Sequence, residues 1–189
     1  MREIIVTEFV SLDGVVEAPG GEEGFKHTNW TFDIETDQTM YDYKFEETLA
    51  AEGLVLGRRT YEGFAAAWPE REGAFADAFN TMPKYVVSTT LTDPAWNNTR
   101  VLGSVEELAE LRQGDGGPLL VQGSPTLVQA LYAAGLVDEW RLMTWPVILG
   151  SGRRLFPDSA DDKTKLRLVD CTTYANGVQL RVFRNENAG

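Results

Sequence analysis

The sequence predicts an α/β domain whose sheet is mostly parallel and is closed at one edge by an antiparallel C-terminal hairpin. Short apolar runs recur, each ending in a glycine- or hydroxyl-rich turn that opens a helical pattern, as Gly53-Leu54-Val55-Leu56 does at Gly57-Arg58-Arg59-Thr60. Strands alternating with helices in this way pair in parallel and are covered on both faces. Their ligands sit at the carboxyl ends of the strands. The C-terminal part changes character: Leu166 to Thr173 and Val178 to Phe183 flank Asn176-Gly177, a hairpin signal.

Each element has its own justification. Ile4 to Val10 is an apolar run that stops at Ser11-Leu12-Asp13-Gly14, where Asp-Gly signals a turn. A long polar loop carrying Pro19-Gly20-Gly21, Trp30 and Phe32 leads to a helix expected over Ile34 to Ala51, with an acidic first turn. After the strand at Gly53, the residues Tyr61, Phe64 and Ala65 fall at helical spacing. Lys84-Tyr85-Val86-Val87 ends at Ser88-Thr89-Thr90, and Pro118 to Gln122 ends at Gly123-Ser124-Pro125-Thr126, with short helices between. The helix from Pro125 to Ala134 has Ser124 at its N-cap, Pro125 in its first turn, Leu127 and Leu131 on one face and Gly135 as its stop. Glu139 to Val147 reads as a further strand. The 189 residues suit one core and contain no linker or repeat, so residues 1–189 are expected to form a single domain.

Composition excludes several functions. A net charge of −12 opposes contact with a nucleic-acid backbone, which needs a basic face. No stretch reaches the roughly 20 apolar residues of a membrane span, and the N-terminus has no apolar export signal. One cysteine, Cys171, and one histidine, His27, allow neither an internal disulfide nor a zinc set. A cytoplasmic protein without metal, nucleic acid or membrane partner is expected.

Three strand ends suit a phosphorylated ligand. Gly57 and Gly123 would let a ligand approach the backbone. Thr60, Ser88, Thr89, Thr90, Ser124 and Thr126 can donate hydrogen bonds, and the helix after Gly123 offers free amides to an anion. Each residue alone also reads as an ordinary turn or cap. Arg58-Arg59 and Arg153-Arg154 are adjacent basic pairs, each beside glycine. At a helix start, Arg58 and Arg59 either read a ribose 2′-phosphate, favouring NADPH over NADH, or sit in solvent against the dipole. Neither Gly-x-Gly-x-x-Gly nor a phosphate-loop motif is present, and no Gly-x-Ser-x-Gly elbow supplies a nucleophile.

Gly57-Arg58-Arg59-Thr60-Tyr61, Tyr85-Val86-Val87-Ser88-Thr89 and Leu120-Val121-Gln122-Gly123-Ser124 resemble, in order and approximate spacing, the cofactor-binding segments of dihydrofolate reductases. A closer resemblance, over about Ile4 to Phe183, is to the reductase domain of bifunctional riboflavin-biosynthesis enzymes and its stand-alone relatives. It rests on Ser11-Leu12-Asp13-Gly14, on Gly135-Leu136-Val137-Asp138-Glu139, and on the long stretch from Pro146 through Gly150-Ser151-Gly152-Arg153-Arg154 to Phe156. The resemblance implies a three-layer dihydrofolate reductase-like fold, NADPH across the strand ends held by residues including Gln122 and Pro125, and a homodimer. The zinc deaminase signature is absent, and Ser124 stands where many relatives have a second glycine.

On this reading the reaction is hydride transfer to a small heterocycle. The implied substrate is a 5-amino-6-(5-phosphoribosylamino)uracil-like pyrimidine of the riboflavin pathway or a pterin such as dihydrofolate. Asp13, in its turn, and Asp42, in the helix near where folate reductases keep an acid, are the candidate catalytic groups. Each also reads as an ordinary turn or solvated-helix residue. Trp30 and Phe32 would either wall a substrate ring or pack in the core, Pro146 would line the site, and Arg153 or Arg154 would contact a phosphate. The competing reading is a non-catalytic nucleotide-binding or regulatory module on the same fold.

Overall fold

The computed structural model describes residues 1–21, 24–156 and 163–186. Its strands are β1 (Ile4–Ser11), β2 (Gly53–Gly57), β3 (Lys84–Val87), β4 (Thr99–Leu102), β5 (Leu119–Val121), β6 (Glu139–Trp145), β7 (Leu166–Thr173) and β8 (Gln179–Asn185). The helices are α1 (Gln38–Ala50), α2 (Arg58–Ala67), α3 (Ala74–Thr81), α4 (Val105–Arg112) and α5 (Pro125–Ala133).

The strands form one sheet in the order β4-β3-β2-β5-β1-β6-β8-β7. From β4 to β6 every neighbour is parallel, while β6–β8 and β8–β7 are antiparallel. The central parallel strands β2 and β5 are wholly buried and therefore read as continuous apolar runs. One face buries Ile4, Val6, Val55, Val121 and Trp140 against Leu108 of α4 and Leu127, Val128 and Leu131 of α5. On the other face, Leu54, Leu56 and Val86 meet Tyr61 of α2, Phe79 of α3 and Trp96. Met143, Trp145, Leu180 and Val182 meet Trp30, with Met40 and Tyr43 of α1 against them.

Two boundaries differ from the sequence reading. The first helix starts at Gln38 rather than Ile34, because Trp30–Asp33 form a short 3-10 turn and Ile34 is extended at φ −115°. Asp37 takes the cap, its carboxylate accepting from the amides of Thr39 and Met40, so the acid sits before the first turn and not in it. β4 has no forerunner in the sequence reading, since four residues with only Leu102 buried give no apolar run.

Candidate active site

The carboxyl ends of β2 and β5 lie side by side and feed α2 and α5 at one level. Val55 is in register with Val121, and the Gly57 amide donates to the Gly123 carbonyl at 3.0 Å. A Cβ on Gly57 would lie 2.3 Å from Ser124 Oγ, and one on Gly123, at φ +84°, would lie 2.8 Å from Thr60 Oγ1. The space that these glycines were expected to leave for a ligand is taken by the neighbouring loop. They are glycines because two strand-to-helix turns pack against each other. The Gly123–Ser124 peptide is cis.

Neither helix start is closed by a capping side chain. Gly57 has none to offer, and Ser124 holds the N-cap position of α5 without a cap hydrogen bond from its hydroxyl. First-turn amides left in this state suit an anion. A cleft opens beside them, lined by Arg59, Ser124 and Pro125 and, from the segments after β1 and β6, by Val16, Glu17, Ala18 and Arg153. Arg58 points elsewhere: its Nε donates to Glu62 at 2.8 Å and a terminal nitrogen donates to Thr90 Oγ1 at 2.7 Å. The Ser88 hydroxyl accepts from the amides of Thr90 and Leu91. Arg58 thus ties the start of α2 to the end of β3, so the β2, β3 and β5 ends meet as one surface. Thr89 and Thr126 are exposed on it. Among the described residues the buried Nε2 of Gln122 has no hydrogen-bond partner.

The loops after β1 and β6 are stitched together. Asp13 Oδ1 accepts from the Ser11 hydroxyl at 2.7 Å and the Leu149 amide at 3.1 Å, while Oδ2 accepts from the Gly150 amide at 2.9 Å. Burial alone would raise its pKa, but these hydrogen bonds outweigh it and hold the carboxyl at about 2. Asp13, expected as a catalytic group, is a carboxylate near neutrality that ties the loops after β1 and β6 together through the Ser11 hydroxyl and two backbone amides. Arg154 donates to the Asp13 carbonyl, and the Arg153 amide donates to Glu17 Oε2 at 2.8 Å.

Other sequence candidates fall away from the cleft. Asp42 lies on the exposed face of α1 and accepts from Gln38 Nε2, so the expectation of a pocket acid at that position is corrected. Trp30 is 1% exposed, donates through its indole nitrogen to the Glu17 carbonyl and packs edge-on against Trp145. It is a core residue and presents no wall to a ligand. Phe32 is 71% exposed, beyond the packed aromatic cluster, and Pro146 is exposed at the end of β6.

The acid that α1 turns inward is Glu47. It is buried, accepts from Thr7 Oγ1 at 3.0 Å and from Lys44 Nζ, and faces Arg141 at 3.4 Å. Lys44 also donates to Thr7 Oγ1 at 2.6 Å and lies over the Phe9 ring. Burial, followed by the charge of Glu47, pushes the pKa of the Tyr43 phenol up. Apolar periodicity could not reveal this centre, because the residues that α1 buries are Lys44, Glu47 and Thr48.

The model of the RibD C-terminal domain matches residues 2–180. The chain belongs to this family. RibD C-terminal domains are typically reductase-like, which makes a general oxidoreductase the coarse class of this chain. It is similar to two uncharacterized proteins of Bacillus subtilis (strain 168). YyaP is 27% identical over 191 residues, covering 96% of this chain and 94% of the relative. YwjB is 26% identical over 187 residues, covering 97% and 98%. In fold it is similar to the crystal structure of a protein from Shewanella sp. PV-4 named for riboflavin biosynthesis. That match has a TM-score of 0.73 at 18% identity and covers 98% of this chain and all of that one. Three layers and a mostly parallel sheet with an antiparallel end make this RibD C-terminal domain dihydrofolate reductase-like.

The donor set fits a phosphorylated dinucleotide. Two uncapped helix starts and a cleft guanidinium are groups that such a ligand would use.

Proposed function

We propose that this RibD C-terminal domain is a cytoplasmic NADPH-dependent reductase acting on a small heterocycle. Candidates are a pyrimidine of the 5-amino-6-(5-phosphoribosylamino)uracil type and a pterin such as dihydrofolate. The observation that carries the reading is the convergence of the α2 and α5 starts with Arg59 on one cleft, while Arg58 reaches Thr90 alongside. Ser124 and the first-turn amides would hold the pyrophosphate, Arg59 would neutralise it, and Arg58 with Ser88 to Thr90 would read the 2′-phosphate. When bound, the nicotinamide supplies the hydride; the chain supplies orientation and a dry setting.

One observation favours the second reading, a nucleotide-binding or regulatory module: Asp13 is held ionised and Asp42 is at the surface. Titration of the protein with NADPH and with NADH, read by ligand fluorescence and thermal shift, tests both. Selective NADPH binding, followed by its oxidation with a pyrimidine or pterin acceptor, supports the reductase. Selective binding with no oxidation across both acceptor classes supports the module, and binding of neither cofactor overturns the reductase and leaves the module.

A further inference from the structure

On the α1 side of the sheet, one row of side chains crosses the strands near the end of β5. Thr7 of β1 is level with Arg141 of β6, and one further step of the β1–β5 register sets Thr7 beside Gln122. Lys44 reaches this row from α1. Its Nζ donates to Thr7 Oγ1 at 2.6 Å and to Glu47, and it lies over the ring of Phe9, the next β1 residue on that face. An ammonium carries three N–H groups, and the acceptors that Lys44 meets among the described residues take two of them. Gln122 Nε2, buried and without a hydrogen-bond partner among the described residues, is a second donor on the row.

In the proposed reductase, on which this inference rests, the 2′-phosphate lies with Arg58 and Ser88 to Thr90 at the β2 and β3 ends, and the pyrophosphate lies with Ser124 after β5. The strand order there is β3-β2-β5-β1, so the nicotinamide end comes to β1, where Lys44 lies. We infer that Lys44 is a catalytic residue, the proton donor of the reduction. Hydride adds to the carbon of a C=O or C=N group of the heterocycle, the cofactor is oxidised, and the π pair moves to the heteroatom. That atom takes a proton from the Lys44 ammonium to become O–H or N–H, and the amine left behind regains a proton from water.

The neighbours of Lys44 are poorer donors. Arg141, paired with Glu139 at 2.7 Å, is a guanidinium and does not give up its proton. Arg184 of β8 is likewise tied to Glu139 at 2.7 Å. Burial, then the charge of Glu47, pushes the Tyr43 phenol up. Glu47 accepts from both Lys44 and Thr7, which keeps a cation in a buried place.

Turnover of the intact chain is measured with NADPH and whichever of 5-amino-6-(5-phosphoribosylamino)uracil and dihydrofolate the native protein reduces. Lys44→Met is expected to lower kcat by at least about 100-fold, as for a missing general acid. Lys44→Arg should lose as much, because a guanidinium keeps the charge without a transferable proton. Cofactor binding is a readout apart from turnover. The oxidised nicotinamide ring is a cation, so an ammonium beside it opposes NADP+ and not NADPH. Lys44→Met should therefore tighten NADP+ relative to NADPH by about threefold or more, and Lys44→Arg should leave that ratio alone. Lys44→Met with Glu47→Gln removes the carboxylate together with its partner, and it should fold and turn over as poorly as Lys44→Met. Native turnover in any of these variants, or an unchanged ratio in Lys44→Met, overturns the assignment of Lys44 alone. A native chain that reduces neither probe overturns the reductase reading and this assignment with it.

Discussion

Two loop clusters stand at the carboxyl ends of the strands, and they use their polar groups in opposite ways. After β1 and β6, the polar side chains are spent on each other: Asp13 holds Leu149 and Gly150, Glu17 holds Arg153, and Arg154 reaches Asp13. After β2 and β5, the contact is made by glycines and backbone, leaving two helix starts uncapped and Arg59 in the cleft. A surface whose polar groups are already paired is scaffold. One whose packing is done by glycine keeps its donors for a ligand.

The sharpest way to break this comparison is Gly57→Ala. Its Cβ would meet Ser124 Oγ at 2.3 Å and drive the two turns apart. The expected cost is about 1–3 kcal/mol, as for other overpacked sites, together with loss of NADPH binding. Urea unfolding and cofactor titration measure both, and native behaviour would mean that the turns need not touch.

Asp13→Ala should follow, at roughly 1–3 kcal/mol, because the donors it satisfies lose a charged acceptor. Its effect has a pH signature. The folded pKa of about 2 lies below the ordinary aspartate value of 3.8, so the contribution is whole above about pH 4 and is lost as pH falls toward 2. Asp13→Asn should flatten the acid limb of the stability curve, and an unchanged limb would remove Asp13 from the stitch.

The open cluster should show the reverse pattern. Arg59→Ala is expected to leave stability within about 0.5 kcal/mol, as at most surface sites, and to weaken NADPH and NADH alike by about tenfold. Arg58→Ala should narrow the preference for NADPH over NADH, since its partner Thr90 lies at the β3 end. Equal loss of both cofactors would count against a 2′-phosphate contact.

A separate pH signature is expected at the far end of the strands, where Lys84 is buried beneath Trp96 and donates to the carbonyls of Asn80 and Asn97. Burial lowers its pKa from 10.5 to about 8, so the folded state sheds the proton first and stability should rise between pH 8 and 10.5. Thermal unfolding over that window should lose this slope in Lys84→Met.

Much of the fold was legible because parallel strands buried on both faces advertise themselves. The apolar runs Gly53 to Leu56 and Pro118 to Gln122 match β2 and β5 to within a residue or two, as the Pro125 pattern matches α5. β4 leaves no such trace, and the first helix begins four residues later than its sequence pattern suggests, because a 3-10 turn and a delayed Asp cap leave no apolar pattern. In the site, Arg59, Ser124, Pro125 and Arg153 were named from local chemistry and do meet in the cleft. Glu47 and Lys44 were not, since charged residues on a helix read as solvent-facing unless a partner strand is known.

By itself the sequence determined the order of strands and turns, the antiparallel end of the sheet and the residue types gathered at strand ends, all of which follow from periodicity and turn chemistry. Only the tertiary structure decided which of these side chains remain free. Asp13 and Trp30 each have the chemistry for a site, but a carboxylate held by two amides and an indole sealed in the core are already used. Such partners lie far away in the chain and come together only when the sheet closes.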